Sequence, residues 1–333
     1  MVERRSDSPP GSAPGLDILA FGEPMVEFNQ TGEREGRVYL QGFGGDSSNL
    51  VIAAARQGAR AGYLSAIGDD AYGRMLRELW QREAVDTRGV VTLPEAFTAI
   101  YFVTHDEQGH HFHFFRQGSA ASRLRPQDIP EGLIESSRLF HLSGISLAIS
   151  AQACDTGFAA IERARAARVP VSFDTNLRLK LWPLARARDV MTEALRLCDI
   201  ALPSLDDVVA LTGLDDPDAL VDHCLRLGAG TVALKLGAQG ALVATARERH
   251  RLPAHPCRAR DATGAGDTFG GAFLARWLAG DALADAARYA CVAAALSTEG
   301  YGAVEPIPQA AAVRAAMDAP ASPGAAQPAP SHP

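Results

Sequence analysis

The chain has 333 residues, 47% hydrophobic and 21% charged, with a formal net charge of −7. An acidic balance argues against a nucleic-acid or membrane-surface partner, each of which calls for a basic patch. No apolar run is long enough to cross a bilayer, so no membrane association is expected.

The opening MVERRSDSPPGSAPG has two arginines but no apolar segment behind them, and is not read as a secretory signal. It is expected to be a disordered tail, residues 1–15, as is the Pro/Ala-rich close, 318–333. From Leu16 strands and helices alternate. LDILAFG is a short apolar run ending in glycine, SNLVIAAARQG a helix stopping at Gly58, AGYLSAIG a second strand and AYGRMLRELWQREA a second helix. RLFHLSG, VPVSFDTN, IALPS and TVALKLG follow as strand candidates, with helical sequence between them. This βα rhythm predicts an α/β fold, a mostly parallel sheet covered by helices on both faces.

One region breaks the rhythm. FTAIYFVTH and HHFHFFR flank the polar DEQG, the pattern of an antiparallel hairpin, and QTGEREGRVYLQGF offers further extended chain. Together, at about 30–43 and 96–117, they suggest a small β lid on one domain spanning 16–317. His111 and His113 share a strand face but have no evident third ligand, so they are taken as plain lid residues. Cys154, Cys198, Cys224, Cys257 and Cys291 are odd in number and scattered without a CxxC pair. Reduced thiols in the cytoplasm are expected.

The chemistry concentrates in RDATGAGDTFGGAF, 260–273. There is no Gly-Lys pair, so a P-loop is excluded, and TGAGDTFGG misplaces its third glycine for a dinucleotide fingerprint. A nicotinamide dehydrogenase is therefore a weak reading. Small residues at Gly264, Ala265 and Gly266 leave the backbone open to an anion. The helix behind them, with Phe269, Phe273 and Trp277 on one face, points its positive end at the loop. Asp267 is then either a general base or an ordinary N-cap after a glycine turn, and local chemistry leaves both open.

DATGAGDTFGGAF resembles the C-terminal signature of the ribokinase/PfkB family of carbohydrate kinases, D-T-x-G-A-G-D-x-F, with Ala262 where threonine is usual. FGGDSSNLVIAAARQGARAGYLSAIGDDAYG resembles the family's N-terminal signature, and the likeness runs from about Ile18 to Ile307. It implies a ribokinase-like three-layer α/β/α sandwich with a β lid, using ATP and Mg2+. Gly264, Ala265 and Gly266 would form the anion hole and Asp267 the catalytic base. Gly44, Gly45, Asn49 and Asp46 would meet the sugar, although Asp46 also suits a helix N-cap, and Glu27 falls where relatives often place a sugar-binding acid. Asn176, Ser204, Lys235, Gly237 and Gly240, the last three from LKLGAQG, would meet ATP. Asp207 is the candidate Mg2+ ligand, Asp261 and Thr263 candidates for a monovalent cation such as K+. Ser204 and Asp207 stand where the family has N-x-x-E, and a capped helix start is their plain alternative.

Within the family, FHLSGISLAIS, FDTNLRLKLW and FFRQGSAAS resemble segments of the members acting on 2-keto-3-deoxygluconate. That substrate's carboxylate would want a guanidinium, from Arg116 on the lid or Arg178 after a strand, with a hydroxyl from Tyr101. The implied reaction phosphorylates the 6-hydroxyl to give 2-keto-3-deoxy-6-phosphogluconate. Asn176-Leu177-Arg178 and Phe114-Phe115-Arg116 depart from that pattern and leave fructokinase as the alternative. A catalytically inactive sugar-binding relative is a further one. For Arg178 the structural alternative is an ion pair with Asp174. The resemblance also implies a homo-oligomer, dimer or higher, joined through the lid.

Overall fold

The computed structural model describes residues 15–106 and 109–319, so the expected tails lie outside it but for Gly15, Asp318 and Ala319. From β1 (Ile18–Phe21) the chain leaves for a small sheet, β2 (Met25–Gln30) and β3 (Tyr39–Gly44). It returns through α1 (Asp46–Arg56), β4 (Ala61–Gly68), α2 (Ala71–Arg82) and β5 (Asp86–Leu93). A second excursion, β6 (Ile100–Asp106) and β7 (Gly109–Phe115), completes the small sheet. The body continues with β8 (Phe140–Ser143), α3 (Gly144–Ala148), α4 (Ala151–Ala166), β9 (Val171–Asp174), α5 (Leu184–Leu197) and β10 (Ile200–Ala201). Then come α6 (Leu205–Thr212), α7 (Pro217–Leu227), β11 (Thr231–Lys235), β12 (Ala241–Thr245) and β13 (Arg249–Leu252). Three helices close the chain: α8 (Ala265–Ala279), α9 (Leu283–Ser297) and α10 (Ala310–Asp318).

The main sheet runs β13-β12-β11-β10-β9-β8-β1-β4-β5, parallel from β11 to β5 and antiparallel only at β11–β12–β13. Its inner strands are largely apolar on both faces, as a parallel sheet between helices requires. Leu19 and Phe21 of β1 join the core beneath α4, α5 and α7, while Ile18 and Ala20 join the core beneath α1, α2, α8 and α9. Connections diverge at β1 and β8: one side continues to β4 and β5, the other to β9 and beyond. A crevice at the carboxyl ends of such a divergence is where α/β sheets bind ligands.

The lid sheet runs β3-β2-β6-β7, with β2 and β6 parallel and the outer pairs antiparallel. It takes in Met25–Gln30, which lies ahead of the expected lid start, because β2 leaves β1 after only the short link Gly22–Pro24. The strand pattern in the sequence also passes over β5, β12 and β13. β5 and β13 are the sheet's edges, and edge strands carry polar residues such as Asp86, Arg88, Arg249 and Arg251 that blur alternation. On the lid, His113 shares a hydrogen bond with Thr104, and His111 Nε2 lies 2.9 Å from Asp106 Oδ1. All five cysteines are free thiols.

Candidate active site

Two helix starts face each other across the crevice. α1 begins at Gly45 (φ 110°) and α8 at Gly264 (φ 74°), and neither has a side chain capping its first turn. The helices can cross this closely because Gly271 has no side chain: a β-carbon there would lie 2.4 Å from the Leu50 carbonyl oxygen. The crossing brings Asn49, in the first turn of α1, to Asp267, in the first turn of α8, with Asn49 Nδ2 donating to Asp267 Oδ2 at 2.8 Å.

The N-cap alternatives for Asp46 and Asp267 do not hold, since glycine occupies both cap positions. Both carboxylates are instead turned into the crevice. Asp267 is pushed up to about 7, first by burial and then by the nearby charge of Asp46, with Asp174 adding to it and Asn49 and Lys235 opposing. A carboxylate poised near neutrality suits a general base. Burial likewise raises Asp46, Asp174 and Asp207. Two acceptors on the crevice face of α1, Asn49 Oδ1 and Asp46 Oδ1, are buried with no hydrogen-bond partner among the described residues. Unmet buried acceptors are destabilising unless a ligand supplies donors, and hydroxyls are such donors. Asp46 Oδ2 accepts from Ser143 Oγ at the end of β8.

At the α8 start, the N–H of Ala265 already donates to the Ala262 carbonyl at 3.2 Å. The N–H groups of Gly264, Gly266 and Asp267 have no protein acceptor among the described residues and remain for an anion. Lys235 Nζ lies 2.5 Å from Asp174 Oδ2, and 3.5 Å from where a β-carbon on Gly266 would sit. Behind it opens a cleft of about 510 Å³ whose lining includes Ser204, Lys235, Gly237, Gly240, Ala265 and Gly266. Ser204 occupies the N-cap position of α6 but makes no capping bond, so the simple capping reading fails there too. Asp207 accepts from Thr175 Oγ1 at 2.9 Å, and Asn176 bends over Asp174 with φ 35°.

The lid side departs from expectation. Arg116 is not a free guanidinium: it is ion-paired with Glu23, whose side chain is fully buried and also accepts from Ser119. Glu23 lies two residues after β1, so its pairing with Arg116 ties the lid's entry to its exit. The signal for it was the acid close behind a buried strand. Arg116 Nε is left buried without a hydrogen-bond partner among the described residues. The Tyr101 hydroxyl is likewise taken, donating to Glu27. Gly44 and Gly45 answer to the protein itself: a β-carbon on Gly44 would fall 2.5 Å from the Tyr101 hydroxyl, and one on Gly45 2.4 Å from the Glu23 carbonyl oxygen. Arg178, exposed on the loop after β9, bonds the Leu177 carbonyl. The suggested pairing with Asp174 is not formed, because Lys235 holds that carboxylate. Asp261 accepts from Thr263 through one oxygen and from the Gly302 N–H through the other.

Known proteins are similar to this chain in sequence and fold. A 2-dehydro-3-deoxygluconokinase of Thermoproteus tenax is 34% identical over 80% of this chain and 83% of its own. Fructokinase-1 of Zea mays is 33% identical over 89% of this chain and 96% of its own. A double-mutant fructokinase from Vibrio cholerae O395, solved with fructose, ADP and potassium ion, superposes with a TM-score of 0.83 at 27% identity, covering 92% of this chain and 100% of that one. The fold is ribokinase-like. The model of the pfkB family carbohydrate kinases matches residues 16–310, and the chain belongs to that family.

Proposed function

We propose that this carbohydrate kinase transfers a phosphoryl group from ATP to the 6-hydroxyl of 2-keto-3-deoxygluconate. The observation that carries the phosphoryl-transfer reading is the meeting of Asp267, Asn49 and the open α8 start around one point. Asp267 takes the proton of the attacking hydroxyl, while the first-turn N–H groups face the charge that develops on the transferring group. Asn49 Oδ1 and Asp46 Oδ1 accept from sugar hydroxyls. ATP occupies the cleft beside Lys235, Gly237 and Gly240 with its terminal phosphate toward Gly266.

Mg2+, when bound, neutralises the phosphate oxygens. Asp207 and Asp174 are hard oxygen donors whose mutual repulsion a cation relieves, which suits them to it. Asp261 and Thr263 are proposed for a monovalent cation, in keeping with the potassium ion in the Vibrio cholerae fructokinase.

The keto-deoxy acid is supported by the Thermoproteus tenax relative and by Arg178, exposed beside the crevice. Fructose is the second reading, and a specific observation favours it: Glu23 already matches the charge of Arg116. The test is ADP formation with Mg2+ across 2-keto-3-deoxygluconate, 2-keto-3-deoxygalactonate, gluconate, fructose and ribose. We expect the keto-deoxy acid to give the highest kcat/KM, and Arg178→Met to lower it at least tenfold while leaving residual turnover of neutral sugars unchanged. Preference for fructose would overturn the substrate assignment and leave phosphoryl transfer intact. We further propose that the protein is cytoplasmic and assembles as a homo-oligomer through the lid.

A further inference from the structure

The open α8 start does not hold its own shape. Gly264 rests on the loop between α9 and α10: a β-carbon there would lie 2.9 Å from the Ala303 carbonyl oxygen and 3.1 Å from its α-carbon. One residue earlier, the Gly302 N–H donates to Asp261 at 2.9 Å, closing the turn that leads into Gly264. Gly302 and Ala303 are therefore the floor of the proposed anion site. The loop that supplies them contains two prolines and no regular secondary structure from 301 to 309.

The far end of α1 anchors this loop, chiefly through one side chain. Arg56 Nη1 donates to the carbonyls of Val304 (3.1 Å), Glu305 (3.3 Å) and Ile307 (2.5 Å). Its Nε and Nη2 form a two-pronged pair with Glu83 at 2.9 and 2.8 Å, which fixes the guanidinium plane. The side chain is 10% exposed and that of Glu83 15%. The neighbouring Gln57 extends the hold, donating to the Pro308 carbonyl and accepting from Tyr289, both at 2.7 Å.

We infer that Arg56 is a positioning residue for phosphoryl transfer. It acts through residues 302–307 on the backbone of Gly264 and so on the amides of Gly266 and Asp267. This rests on the reading of the α8 start as the anion site. The same helix carries Asn49 at its first turn and Arg56 at its last, so α1 sets both the substrate side and the floor of the anion side. A shift of about 1 Å in such a floor is enough to lower a rate about 100-fold. Substrate hydroxyls meet the other end of α1 and should not register it.

The experiment measures kcat, both KM values and the folded fraction for wild type, Arg56→Lys and Arg56→Ala, together with hydrogen–deuterium exchange of the peptide covering 261–268. Arg56→Ala is expected to lose kcat roughly 10- to 100-fold, with the sugar KM within about two-fold, faster exchange of the hydrogen-bonded amides of Ala265 and Thr268, and partial recovery of kcat in millimolar guanidinium. Arg56→Lys keeps a charge but cannot serve Glu83 and three carbonyls together, so it should fall between the two; if Arg56→Ala does not fold, Arg56→Lys carries the test. An unchanged kcat in either folded variant overturns the inference, as does a loss that merely follows the folded fraction. A wild type without kinase activity would sink the proposed function instead. The exchange measurement would then decide alone, and unaltered protection of the Ala265 and Thr268 amides in the variants would overturn the anchoring role.

Discussion

The starts of α1 and α8 at the crevice differ from the side-chain-capped starts of α2, α4 and α7. α5, α9 and α10 also lack a capping side chain, but among the described α-helices only α1 and α8 have glycine at the cap position. α2, α4 and α7 are capped in the usual way, by Asp70, Ser150 and Asp216, each accepting from an N–H two or three positions into its helix. α1 and α8 begin instead on glycines with positive φ and no capping side chain. In α2, α4 and α7 the local sequence satisfies the helix end. At the crevice that satisfaction is withheld, and donors of the first turn stay available to a ligand. The fold stabilises those ends by other means: close helix crossing at Gly271, the Asn49–Asp267 bond, and a neighbouring loop beneath Gly264.

The sharpest way to separate the two kinds of helix start is Asp267→Asn. Removing a general base lowers kcat about 10²- to 10⁴-fold. Its pH behaviour has two signs. In wild type, kcat/KM should rise as Asp267 ionises and level off above about 7. Stability should move the other way. The folded-state value lies above the ordinary 3.8, so the folded protein binds the proton more tightly than the unfolded chain. Stability contributed by this group is therefore present below the unfolded value and lost as pH rises toward about 7. Asp267→Asn should consequently be nearly inactive yet more stable than wild type at pH 8. The gain should reach up to a few kcal/mol, since each tenfold difference in proton affinity between the folded and unfolded chain is worth about 1.4 kcal/mol. A variant both inactive and less stable at that pH would contradict the buried-carboxylate account.

Gly264→Ala comes next. The added methyl meets the Ala303 backbone, and φ of 74° disfavours any side chain. We expect kcat to fall about tenfold or more through displacement of the amides, with a stability loss of about 1–2 kcal/mol visible in urea unfolding. Retention of full activity would mean that the glycine start is not part of the machinery. The smallest effect belongs to the ordinary class. Asp216→Ala deletes an exposed cap accepting from the Ala219 N–H at 2.9 Å. It should cost about 1 kcal/mol of stability and leave kinetics unchanged.

What could be read from the sequence followed the same division. β4 was bounded correctly from AGYLSAIG, because a central strand buried on both faces is a continuous apolar run. Asn49 and Lys235 became candidates through the family resemblance of the segments that hold them, and Asp267 through its glycine loop as well; the fold brings all three to one crevice. Charges that travel far along the chain before meeting were harder. Glu23 and Arg116 are ninety-three positions apart by their numbering, and nothing local marks them as a pair. Asp174, a near neighbour that offered Arg178 a structural alternative to substrate binding, is paired instead with Lys235, sixty-one positions away.

The amino-acid sequence thus determined by itself the layered α/β architecture, the small sheet set apart from it, and the residue types that gather at the crevice. These follow from hydrophobic periodicity, glycine placement and local motifs, all of which act over a few residues. Only the tertiary structure decided which charges are already matched, which amides and carboxylates are left for a ligand, and that Arg56 holds the loop beneath Gly264. Those outcomes depend on Coulomb attraction and burial between groups that become neighbours only once the sheet has formed.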